Sequence, residues 1–192
     1  MGFFSRKRYV VTTVTIAVDP ADVPSVHQLL SGASTRVRGG EHHHASEAVA
    51  DVSGFLLSRP SAWTHVSNHG AVFKDEGAAA RYGDEVFADC AARYLSSNAA
   101  GADEVGLEVS AAEGRASNHV VVMLTVAYQG ANAALEKTLA TRTDVDQALS
   151  GIVALHHRDA LEIAALHYAP AHANDLLTDD RLLVNFPELL AV

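Results

Sequence analysis

Apolar positions along this chain change their period from one stretch to the next, and the period predicts the elements. His119 to Tyr128 reads His-Val-Val-Val-Met-Leu-Thr-Val-Ala-Tyr. Val120, Val122, Leu124, Val126 and Tyr128 fall on one alternating face and Val121, Met123, Thr125 and Ala127 on the other. A strand buried on one side alternates apolar with polar, so apolar residues on both faces predict a central strand. Its β-branched content and its bounding Asn118 and Gly130 favour a strand over a buried helix. Tyr9 to Val18 nearly repeats the pattern, with Val10-Val11, Thr15 and Ala17 recurring as Val120-Val121, Thr125 and Ala127.

Helical periods fill the intervals. Asp19 is a fair N-cap with Pro20 at the first helical position, and Val23, Val26 and Leu30 share a face. Ser31 to His44, with Gly32, Gly39 and Gly40, reads as a loop. Ser46 then caps a helix with Val49, Val52 and Leu56 on its stripe, stopped by Arg59-Pro60, and Trp63 is expected to pack that helix end against the core. Ala79, Tyr82, Val86, Cys90 and Tyr94 predict a helix from about Asp75 to Tyr94. Val105, Leu107 and Val109 suggest a weak edge strand, turned back at Glu113-Gly114. Thr143 caps a further helix with Asp146 in the capping-box position and Val145, Leu149, Ile152 and Val153 buried. Leu161 to Tyr168 is the last strand, ended by Pro170, and Thr178 then caps a short helix.

This order predicts an α+β fold, a ferredoxin-like split βαβ sheet (βαββαβ) with extra helices inserted in the first crossover. Strands 9–18 and 119–128 are expected as parallel neighbours, with 104–110 and 160–168 at the edges and the helices mainly on one face. Val14, Ile16, Val122, Leu124, Val126, Phe55, Trp63 and Leu149 form the expected core. With 192 residues the chain is read as a flexible segment 1–8 and a single domain 9–192.

Composition narrows the partners. A net charge of -9 argues against a nucleic-acid surface, which needs clustered Lys and Arg. The one basic run, Arg6-Lys7-Arg8, follows Phe3 and Phe4 and is a candidate for peripheral membrane contact. No apolar run approaches the ~20 residues of a transmembrane helix, and no signal peptide is visible, so a soluble chain is expected. The single cysteine, Cys90, excludes an internal disulfide, and its place on an apolar helix face predicts an inert thiol.

Eleven histidines are the most unusual feature. His42 and His44 would share a face with Glu41 nearby if that segment were extended, and His65 and His69 would share one only if the stretch after Trp63 were helical. These four are the weak metal candidates, against a solvated loop for the first pair, and the cluster at 42–44 is expected to hold no structural metal. His156-His157 suits a helix C-terminus, and His167 reads as a hydrogen-bonded structural histidine. Asp179-Asp180 and Asp144 with Asp146 are candidate acid pairs that capping also explains. Metal-protease, dinucleotide, P-loop and nucleophile-elbow motifs are missing, so no cofactor and no catalytic residue is assigned. The expected function is a non-catalytic binding or assembly domain with a protein partner. The alternative is a small enzyme or a His-rich metal-binding protein with an unrecognised site.

The tail carries the most distinctive wording: Tyr168 and Pro170, then Asp175, Leu177-Thr178, Leu182-Leu183 and Phe186-Pro187-Glu188-Leu189. With the strand from Tyr9, the Leu56-Leu57-Ser58-Arg59-Pro60 step before Trp63 and the strand from His119, it resembles the family known as domain of unknown function 1517. That family is found mainly in cyanobacteria and, associated with plastids, in plants. It usually has Trp where Tyr168 stands and an acidic residue where Ala165 stands, and many members carry an upstream membrane segment. The resemblance implies a cytoplasmic or plastid-stromal protein, membrane-peripheral at most, with an accessory role beside a photosynthetic or other membrane complex. It supplies no activity and no catalytic residue.

Overall fold

The computed structural model describes residues 7–19, 21, 25–38, 42–99, 119–170 and 177–192. Among the described residues five strands, β1 (Tyr9–Val18), β2 (Trp63–Phe73), β3 (Val120–Gln129), β4 (Leu161–Ala169) and β5 (Leu190–Ala191), form one sheet in the order β4-β3-β1-β2-β5. Every neighbouring pair is antiparallel. The fold is α+β, as expected.

Strands 9–18 and 119–128 do lie side by side, in register from Tyr9 opposite Gln129 to Val18 opposite Val120, but they run antiparallel. The parallel pairing expected from a split βαβ sheet is therefore corrected. Its cause is β2, which the sequence reading passed over: an extra strand after Trp63 reverses the chain before the crossover to β3. β2 and β3 are consequently parallel to each other, with β1 between them. The edge strand expected at 104–110 lies outside the described residues.

Helices cover both faces of the sheet, which corrects the expectation of one helical face and explains why β1 and β3 are apolar on both. Val10, Val14, Ile16 and Val18 with Val122, Leu124 and Val126 pack under α1 (Val26–Arg38), α2 (His42–Leu57) and α5 (Arg142–His157). Val11, Ala17, Val121, Met123 and Ala127 face α3 (Glu76–Ala99) and α6 (Asp179–Asn185). Seven of the eight expected core residues are buried, and Phe55 packs half-buried against the others. Trp63 is buried, and its indole N–H donates to Leu56 O at 3.2 Å, fastening the end of α2 as the sequence suggested.

Helix boundaries moved where polar residues masked the period. α1 starts at Val26 and runs through the expected loop to Arg38; Asp19 instead accepts from Ala21 N–H at 2.8 Å in a local turn. α2 begins at His42, so Ser46 is an interior helix residue, buried, with Oγ 2.8 Å from His156 Nδ1. The cap of α5 is Thr141, with Asp144 completing the capping box, two residues before the expected Thr143 and Asp146. A one-turn helix α4 (Ala133–Glu136) precedes it. Thr178 caps α6 as expected.

Candidate functional site

The four metal candidates are not brought together. His42 and His44 lie in the first turn of α2, not in an extended loop; the side chain of His42 is outside the described set, and His44 is half-buried. His65 and His69 stand on a strand, not a helix. There they share a face, but at four residues' separation they are about 13 Å apart along the chain, too far to chelate one ion. Among the described residues no group of three or more His, Cys, Asp or Glu side chains is placed to hold a metal.

Two other constellations form instead. The first is built by a β-bulge. Ala17 pairs with His65 and Val18 with Trp63, so Thr64 is the extra residue and its side chain is re-aimed. Thr64 Oγ1 donates to Ala17 O at 3.1 Å and lies 3.2 Å from His119 Nδ1 and 3.1 Å from His65 Nδ1. His119, buried, reaches Asp179 Oδ1 through Nε2 at 2.6 Å, and its backbone N–H donates to Leu177 O at 2.9 Å. Both imidazoles meet the Thr64 hydroxyl through Nδ1, and the His119 ring bridges that hydroxyl to the Asp179 carboxylate. The arrangement clamps the start of α6 to the start of β3. Burial, and after it the neighbouring His119, holds His65 below the usual imidazole range. Sequence reading missed this cluster because its members are 55 and 60 residues apart and each has a local explanation.

The second constellation lies where α3 crosses β4. Glu76, Ala80, Gly83 and Phe87 recur at helical spacing and turn one stripe of α3 toward that strand. At Gly83 a Cβ would stand 3.7 Å from Ile163 Cδ1, so the helix comes down directly over Ile163. One turn on, the Phe87 ring meets His167 edge-on at 4.7 Å between centroids. His167 Nδ1 is buried with no hydrogen-bond partner among the described residues, so the expected hydrogen-bonded histidine is not found, and burial lowers its pKa. Phe87 is 52% and Ile163 39% exposed. Among the described strands β4 pairs with β3 alone. At the N-terminal end of the stripe a cavity of about 160 Å³ has a floor that includes Val11, Ala79 and Ala127, with Tyr9, Glu76 and Glu162 also lining it. Tyr9 OH donates to Glu76 Oε2 at 3.3 Å. Over residues 76–89, Glu76, Asp84, Glu85 and Asp89 stand against Arg81 alone.

Of the residues expected to touch a membrane, Phe3, Phe4 and Arg6 lie outside the described set. Lys7 is exposed, and Arg8 is engaged in a forked ion pair with Glu136 and in a bond to Gly130 O at 2.9 Å. The hydrogen bonds from Arg8 hold the Glu136 carboxyl below its usual range. Cys90 is buried and burial pushes its thiol up, in keeping with an inert cysteine. No described helix is long and apolar enough to cross a membrane.

A profile of the family described as "Protein of unknown function (DUF1517)" matches residues 8–192. The chain belongs to that family. No curated protein and no solved structure matches it. In this DUF1517 member the tail wording that carried the resemblance is a packing device. Leu177, Leu182, Phe186 and Leu189 are buried with Val86, Cys90 and Met123 on the α3 face, whereas Leu183, second of the Leu-Leu pair, is 59% exposed.

Proposed function

We propose that this domain is a non-catalytic protein-binding module, an accessory to a larger assembly, and that its contact surface is the groove where α3 crosses β4. The observation that carries the reading is the pair Phe87 and Ile163, left partly in water where α3 crosses β4. An apolar patch at the crossing of a helix and a strand suits an extended segment laid along it, the patch giving selectivity. Complete burial of a large apolar side chain is worth about 1.5–3 kcal/mol, so covering the exposed halves of these two contributes roughly 2 kcal/mol on binding. Resemblance to plastid-associated proteins supports a partner in a photosynthetic or other membrane complex.

Native co-purification with mass spectrometry tests the reading, comparing the parent protein with Phe87→Asp. Phe87 is half in solvent, so Phe87→Asp should cost only about 1 kcal/mol in thermal unfolding while a reproducible partner is lost. Recovery of the same proteins by both would sink the proposal.

A further inference from the structure

We propose that His43 and His156 form a two-histidine clip for an exchangeable divalent transition-metal ion, Cu(II) most tightly, which fastens the start of α2 to the end of α5. The inference does not draw on the groove described above, and the ion is exchangeable, not a structural centre.

Helix packing brings the pair together. α2 opens at His42 and α5 closes at His157, and these ends meet: Ser46 Oγ, in the second turn of α2, lies 2.8 Å from His156 Nδ1. The His43 and His156 rings stand 6.3 Å apart between centroids, tilted by 34°. With a metal–nitrogen bond of about 2.0 Å, two imidazoles on one ion have centroids roughly 5–6.5 Å apart, so this separation admits a shared ion. His43 is exposed and free to turn its ring, whereas His156 is half-buried. His43 with His44 at 6.4 Å and His156 with His157 at 5.7 Å are comparably spaced. Each of those, however, is a pair of successive helical residues, whose side chains diverge around the axis and do not face each other.

Ser46 gives His156 the support that a loose surface imidazole lacks. It is buried, and its hydroxyl engages the ring through Nδ1, which leaves Nε2 as the nitrogen for an ion. When that hydroxyl accepts from Nδ1–H, Nε2 carries the lone pair a metal needs. The negative end of the α5 dipole lies at the same place and favours a cation. Imidazole suits Cu(II), Ni(II) and Zn(II) and not Mg(II) or Ca(II), and the ordinary order of affinities puts Cu(II) first. Among the described residues no third His, Cys, Asp or Glu joins the pair, so water completes the shell and the ion exchanges.

Cu(II) titrated into the isotope-labelled full chain locates the site by paramagnetic broadening of nearby amide signals. At substoichiometric Cu(II), amides 43–47 and 153–158 should broaden together. His43→Gln and His156→Gln should each weaken binding at both ends by at least about tenfold, because two tethered ligands act on one ion. The double variant should lose no more than either single one. His44→Gln and His157→Gln should leave the titration unchanged. Since His43 is exposed, His43→Gln keeps the fold, which its own amide spectrum verifies. Broadening at 153–158 that keeps its Cu(II) dependence in His43→Gln would reveal separate adventitious contacts and overturn the clip. A loss in His44→Gln or His157→Gln equal to that in His43→Gln would overturn it too.

Discussion

Thr13 and Thr125 are the polar pair at the middle of the most apolar part of the sheet, and removing them in turn tests how that core is assembled. They face each other across β1 and β3, both buried, with Oγ1 atoms 2.8 Å apart. Thr13→Val or Thr125→Val leaves the remaining hydroxyl buried without that partner, and each should cost about 1–3 kcal/mol, because an unsatisfied buried group bears its full desolvation penalty. The double valine variant removes both hydroxyls and keeps the shape, so it should lose less than the sum of the two singles, a coupling of about 1 kcal/mol or more. Urea unfolding followed by the fluorescence of Trp63, the single tryptophan, measures all four proteins. With a slope of about 2 kcal/mol/M, the Thr125→Val midpoint should move by roughly 1 M. A double variant equal to the sum of the singles would refute the reasoning.

Gly70 sits opposite Thr12, where an added Cβ would lie 2.6 Å from Val11 O and 2.9 Å from Thr12 Cα, backbone that cannot give way between two paired strands. Gly70→Ala should lose at least about 1–3 kcal/mol, whereas Gly54→Ala, in open space on α2, should be neutral or stabilising by up to about 1 kcal/mol; equal effects in thermal unfolding would contradict this. His69 and His167 are both held below the usual imidazole value of 6.5, burial being the chief cause. A base with a depressed folded-state pKa takes its proton more readily once unfolded, so stability is level above about 6.5 and falls as pH drops from there toward the folded values. Replacing both with Gln should flatten that slope in urea titrations between neutral and mildly acid pH, and an unchanged slope would show that these two rings do not set it.

Much of the sheet was legible because a strand's period is local. Two stretches largely apolar on both alternating faces announced β1 and β3, and Leu161 to Tyr168 announced β4 nearly to its ends. Trp63, the α3 stripe through Cys90 and the cap at Thr178 were equally local, as was the family wording of the tail, whose residues turned out to fill the second core. β2 was not legible. It runs Trp-Thr-His-Val-Ser-Asn-His-Gly-Ala-Val-Phe, and its polar residues are tolerated only because one long side of it is near the sheet's edge, a fact of tertiary position. Without β2 the direction of β3 could not be counted correctly, since one unrecognised strand reverses every strand that follows it. His42 to His44 looked like a loop because glycines and polar side chains carry no period, and the helix there is held by packing of α2 on α1 and α5. The Thr64–His119–Asp179 contact and the α3–β4 groove join residues from distant parts of the chain. The sequence by itself determined which segments must be buried and with what period. Which buried segments meet, in which direction and with which polar groups between them, is set by long-range pairing and burial, and only the tertiary structure decided that.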